Sequence, residues 1–236
     1  MLAEQILNFL HHLKIDVPVP RGVQVLNPYQ QPAIFDLCKQ FYTKYYADNE
    51  SRTLLIGINP GRLGAGLTGV PFTDPIRLKE ICKIENTLPA KPELSSDFIY
   101  RVIDFLVEAH AFYQKFYFSS VSPIGFTLKG KNLNYYDVPL LQKRLKPFMQ
   151  TCMRTQLSWG LNTRVAFCLG EGENFKFLAA WNKEEKFFQE IISLPHPRFI
   201  MQYKRRQLNY YLHLYVKTKT DLIIRVEYIS NIEPVL

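Results

Sequence analysis

Thr53-Leu54-Leu55-Ile56-Gly57-Ile58-Asn59-Pro60-Gly61-Arg62-Leu63-Gly64-Ala65-Gly66-Leu67-Thr68-Gly69-Val70-Pro71-Phe72 begins as an apolar run and ends on an aromatic ring. Residues 53–58 read as a buried strand, and residues 59–72 read as a loop. A strand that stops at a long loop presents its side chains at the carboxyl edge of a sheet, where open α/β folds hold their ligands. Pro60 biases Asn59 toward an extended backbone, and the glycines let the chain approach a planar group closely. The stretch therefore predicts a ligand site, one suited to a base.

Outward from this loop, strand and helix patterns alternate. Glu4 to Leu13 and Gln31 to Tyr45 are periodic in the manner of helices, with Pro18 and Pro20 breaking the chain between them. Asp97 is placed to cap a helix carrying Phe98, Val102, Phe105, Leu106 and Ala109 at helical spacing. Phe116 to Val121 is a second strand, and Pro139 suits the first turn of a helix running toward Trp159, with a kink expected at Pro147. Val165–Leu169 and Ile191–Leu194 read as further strands, separated by a helix over Asn174–Trp181. A basic helix from about Gln202 to Lys217 and a last strand over Leu222–Ile229 complete the pattern. The expected fold is α/β, a three-layer α/β/α sandwich around a central four-stranded parallel sheet, with residues 1–236 as one domain. Loops after Ile58, Val121 and Leu194 then share one sheet edge.

A chain of 236 residues with 47% hydrophobic content can bury a full core. No apolar run has the length of a membrane span, and the first residues lack a basic segment followed by an apolar one, so a cytoplasmic location is expected. The net charge of +8 is unevenly spread. Residues 196–225 hold Arg198, Lys204, Arg205, Arg206, Lys217, Lys219 and Arg225 against Asp221, and residues 127–154 are similarly basic. Such segments beside candidate site loops suit a polyanion, and equally suit a plain solvated surface. Cys38, Cys82, Cys152 and Cys168 form no C-x-x-C pair, and they read as buried thiols rather than metal or cluster ligands. No metal and no cofactor is expected.

Asn59-Pro60-Gly61 followed without a gap by Gly69-Val70-Pro71-Phe72 resembles the first catalytic motif of the uracil-DNA glycosylase superfamily, in its single-strand-selective monofunctional branch. Leu194-Pro195-His196-Pro197-Arg198 resembles the histidine loop of that family, shortened by two residues. Phe116 to Pro139, including Lys131-Asn132-Leu133, resembles its middle strand and the loop after it. The resemblance runs from about Thr53 to about Arg206.

What the resemblance implies is a flipped base enclosed by Ile58, Gly61, Phe72 and Ser120. Asn59 would hold the attacking water, since a carboxamide orients but is too weak a base to take a proton. His196 would donate to O2 of the leaving pyrimidine, in a protonation state that the sequence does not fix. Phe72 would stack on the base, although a core phenylalanine is the simpler reading in a chain with 17 of them. Gly61 stands where a stricter uracil-specific branch has a tyrosine, which implies a roomier pocket. Ser120 stands where an asparagine would read the base edge, which opens the pocket to other deaminated bases. Arg198, Phe199, Lys204, Arg205, Arg206 and Lys131 would meet DNA. Phe199 and Ile200 could fill the vacated base stack, or begin a buried helix face.

The function these residues imply is monofunctional excision of uracil and other deaminated bases from DNA by a monomer. Two other readings stay open: an enzyme directed mainly at hypoxanthine and xanthine, and a damaged-DNA binder without catalysis. A phosphate-binding loop over residues 57–69 lacks the Gly-Lys-Ser/Thr ending such loops need.

Overall fold

The computed structural model describes residues 1–106 and 108–217. The expected strand over Leu222–Ile229 lies outside the described residues. Four strands form the parallel sheet: β2 (Thr53–Gly57), β3 (Phe116–Ser120), β6 (Asn162–Leu169) and β7 (Glu190–Leu194), in the order β3-β2-β6-β7. The chain moves outward from β2 to β3, then returns past β2 to β6. Strand order therefore reverses between β2 and β6, the position at which doubly wound sheets open a crevice. Gly57 pairs with Ser120, and Leu169 with Leu194, so all the candidate loops leave from one edge.

Helices α1 (Leu2–His12) and α2 (Pro32–Tyr45) bury the apolar faces that their periodicity marks, whereas α3 (Ala65–Thr68) and α4 (Pro75–Glu80) are short helices within the segment after β2. Successive residues on β3 face opposite layers, as strand geometry requires. Phe118 stacks on Phe112 of α6 (Ala109–Lys115), while Ser119 donates to Gln156 of α7 (Pro139–Leu157). Helices thus cover both faces of the sheet. On the far side of β2, Arg52 is fully buried and bonds Asp48, Glu50 O and Tyr113 O, tying the strand's start to α6.

A second sheet, not expected from the sequence, consists of β1 (Val23–Leu26), β4 (Gly125–Leu128) and β5 (Lys131–Leu133), all antiparallel in the order β1-β4-β5. Lys129 and Gly130 join β4 to β5 with φ of +50° and +73°, the two left-handed residues of a type I′ hairpin. This sheet lies on the loop after β2. A Cβ at Gly125 would stand 2.2 Å from Pro60 O, so only glycine permits the approach.

Helix boundaries also differ from the expectation, and Ala109, expected in one helix with Phe98, starts α6 instead. Helix α5 (Leu94–Leu106) is capped by Glu93, whose carboxylate accepts the Ser96 N–H at 2.8 Å. Asp97 sits inside the first turn and pairs with Arg77 and Arg101. The basic segment is not one helix from Gln202. Helix α9 (Pro197–Tyr203) starts directly after His196, Arg205–Gln207 forms a 3-10 turn, and residues 208–217 are helical again. Pro197 explains the early start, because its fixed φ and missing N–H suit a first helical position.

Candidate active site

The loops after β2, β3 and β7, with the hairpin above them, enclose a cleft of about 540 Å³. Ile58, Asn59, Gly61, Phe72, Ser120, His196, Arg198 and Phe199 all line it.

Asn59 is held at both ends of its carboxamide. Oδ1 accepts the Tyr135 N–H at 3.0 Å, and Nδ2 donates to Leu133 O at 3.2 Å. Because one partner only donates and the other only accepts, the orientation of the amide is set. One lone pair of Oδ1 remains for a further donor. Tyr135 is itself anchored, its hydroxyl donating to Asn174 Oδ1 at 3.0 Å from α8 (Glu173–Glu185). Asn174 Nδ2 reaches back to Gly57 O at 3.5 Å, so the loop is braced at both ends.

Phe72 has φ of +53°, an outlier for a bulky side chain. Such a residue persists only where its surroundings over-determine it. Here Thr68 Oγ1 donates to Thr73 O at 2.7 Å and accepts the Val70 N–H at 3.1 Å, while Asp74 N is held by Ser96 Oγ at 3.0 Å. The result places the Phe72 ring over Gly57, where a Cβ would stand 2.9 Å from it. Its centroid lies 5.1 Å from that of Phe118 and 6.4 Å from that of His196. Phe72 is half-buried, with its ring on the cleft rather than enclosed in the core.

His196 is the N-cap of α9. Its Nδ1 accepts the Arg198 backbone N–H at 3.1 Å. A nitrogen that accepts carries no proton, so the neutral ring holds its proton on Nε2. Nε2 has no hydrogen-bond partner among the described residues. Burial first, and the Arg198 charge second, lower the imidazole from its usual 6.5 to about 4. At neutral pH the cleft therefore contains an uncharged N–H donor. Gly170, with φ of +134°, closes against the ring, its would-be Cβ 3.7 Å from His196 Cδ2.

Ser120 and Gly61 each have a defined neighbour. The Ser120 hydroxyl donates to Ser122 O at 2.7 Å and offers only lone pairs elsewhere. The space over Gly61 is not simply open. A Cβ there would stand 3.2 Å from Nδ2 of Asn132, whose carboxamide fills part of it.

Among the expected DNA contacts, Arg198 and Phe199 are exposed at the rim, whereas Ile200 is fully buried, so the two candidate wedge residues part company. Lys131 is exposed at the start of β5, beside the cleft-lining Asn132. Lys204 is half-buried, and Arg205 and Arg206 are exposed around a separate shallow concavity completed by Tyr210. None of these four lines the cleft. Sequence reasoning missed Asn132, Gln202 and Tyr203 on the cleft, and the backbone of 133–135 beneath Asn59. The signal for Asn132 lay within the Lys131-Asn132-Leu133 resemblance, where only the charge was used.

Among the described residues, no group of three or more His, Cys, Asp or Glu side chains is placed to hold a metal ion, and no helix is long and apolar enough to cross a membrane. The four cysteines are free and buried.

Comparison with known proteins gives a consistent result. The profile of the uracil DNA glycosylase superfamily matches residues 43–218. A search of curated proteins finds no match. Among solved structures, wild-type SMUG2 of Pedobacter heparinus is similar over 94% of this chain and 97% of its own, at 42% identity and a TM-score of 0.91. The chain belongs to the uracil-DNA glycosylase superfamily and is a DNA glycosylase.

Proposed function

We propose that this glycosylase removes uracil, and with it other deaminated bases, by direct attack of water on a flipped nucleotide. The observation that carries the reading is the neutral His196, with Nδ1 occupied by a backbone N–H and its proton on Nε2 in a cleft shared with Asn59 and Phe72. The reaction breaks the bond between C1′ and the base nitrogen, and the electron pair leaves with the base. A donor aimed at O2 of a pyrimidine stabilises the developing anion, the kind of preorganised contact that contributes most to such reactions. Asn59 presents its spare lone pair to a water, which adds to C1′ as the base departs and releases its proton to solvent. Phe72 provides the face on which the extruded base stacks.

Among the described residues no lysine lines the cleft, which favours water over an amine nucleophile and hence monofunctional chemistry. Arg198, Phe199, Lys131, Lys204, Arg205 and Arg206 would contact DNA around the cleft, with the protein acting as a monomer. The cleft volume favours admission of purines such as hypoxanthine and xanthine beside uracil.

The test is incubation with oligonucleotides carrying a single uracil, hypoxanthine or xanthine, followed by alkali to break abasic sites. Breakage at uracil is expected, with measurable breakage at a deaminated purine. Breakage at the purines alone would favour the purine-directed reading. A protein that binds all three and breaks none would be a damage binder, and the proposed chemistry would fall.

A further inference from the structure

The Asn132 carboxamide has one end committed and one end free. Its Oδ1 accepts the Arg62 backbone N–H at 3.0 Å, which fixes the way the amide points. Its Nδ2 stands over Gly61 and has no hydrogen-bond partner among the described residues. Ser120 has the complementary state: its proton is spent on Ser122 O, which leaves acceptor lone pairs. Both residues line the cleft that holds Asn59, Phe72 and His196. A donor and an acceptor, each fixed by the backbone, therefore line one cleft from two separate elements, β5 and the end of β3.

We propose that Asn132 and Ser120 together read the edge of the flipped base, Asn132 donating to the ring carbonyl that deamination creates and Ser120 accepting from the ring N–H beside it. This rests on the base-excision reading above. Uracil carries the matching pair as O4 and N3–H, and hypoxanthine and xanthine carry it as O6 and N1–H. Cytosine and adenine carry the reverse pair, an amino donor beside a bare ring nitrogen. In the cleft they would set donor against donor and acceptor against acceptor. Polar groups that a bound base covers and leaves unmatched in this way discriminate more strongly than shape does. Guanine and thymine share the oxo pattern, so the pair sorts oxo from amino and nothing more. A single asparagine could present both groups at once; here the two functions are divided, and neither residue suffices alone.

The test uses the full chain and single-turnover excision at saturating enzyme, from oligonucleotides carrying uracil or 4-thiouracil. Sulfur at position 4 is a poorer acceptor, while the ring N–H is retained. The variant is Asn132→Asp, which keeps the oxygen that Arg62 needs and replaces the donor with an acceptor. We expect uracil excision to slow by about tenfold or more, and the wild-type preference for uracil over 4-thiouracil to shrink. Intrinsic leaving-group differences cancel in the ratio of ratios. Asn132→Asp at wild-type speed would mean that only the contact with Arg62 matters, and would overturn the proposal. Equal slowing on both bases would assign Asn132 to the loop or to a phosphate, and would overturn it too. A wild type that leaves uracil in place overturns the glycosylase reading itself, a result separate from either variant outcome.

Discussion

Lowering the pH from 8 to 5 is expected to leave single-turnover uracil excision almost unchanged, although the proposed reaction depends on a histidine. Burial and the Arg198 charge hold His196 near 4, against 6.5 for an exposed ring. At pH 5.5 a group with a pKa of about 4 is only about 3% protonated, whereas one at 6.5 is about 90% protonated. If only the neutral ring works, the ordinary histidine would lose about tenfold in rate at pH 5.5. His196 as found here would lose almost nothing. The assay is rapid-quench excision with enzyme in excess over a uracil oligonucleotide at constant ionic strength, so that DNA affinity does not enter. Imidazole nitrogen chemical shifts would report the tautomer independently, with the proton expected on Nε2. A rate that falls with an apparent pKa near 6.5, or a proton found on Nδ1, would refute the reasoning. The same shift has a linked effect on stability. Below pH 6.5 the unfolded chain takes up a proton that the folded ring refuses, so this group destabilises the fold as pH falls toward 4.

Gly57→Ala places a methyl 2.9 Å from the Phe72 ring, whose backbone has no slack, so a stability loss of about 1–3 kcal/mol should accompany at least a tenfold slower excision; a normal rate would show that the ring position is immaterial. Arg52→Ala removes a buried guanidinium and leaves Tyr113 O and Glu50 O without their donor, a loss of about 3 kcal/mol that should appear as a melting point lower by roughly 6–12 °C; an unchanged melting curve would contradict it. Excision should persist in excess EDTA, since protein N–H donors rather than a cation are assigned to the leaving base. Loss of cleavage in chelator, restored by magnesium, would count against that assignment.

The parallel sheet was legible because each of its strands is an apolar run bounded by a turn, as at Leu54-Leu55-Ile56 before Gly57 and Ala166-Phe167-Cys168-Leu169 before Gly170. The loop residues were legible because proline and glycine mark backbone needs that few other residues meet. The second sheet was not, because β4 and β5 are four and three residues long and their pairing is with each other and with distant β1. The start of α9 was obscured by the run of charges after it, although Pro197 marked it. What periodicity could not supply is the state of each polar atom. Whether Ser120 donates, which nitrogen of His196 holds the proton, and which end of Asn59 faces β5 all depend on backbone partners that no spacing pattern marks. Asn59 lies 76 residues from the Tyr135 N–H that orients it.

The most direct measurement of the central claim compares wild type with His196→Ala and Asn59→Ala in single-turnover uracil excision, with affinity for the same oligonucleotide measured alongside. Removing one preorganised group of this kind slows the chemical step by about two to three orders of magnitude. Losses of that size are predicted in both variants, with DNA affinity within a few-fold of wild type. Excision at wild-type speed in both, or losses explained wholly by weaker binding, would contradict the assignment.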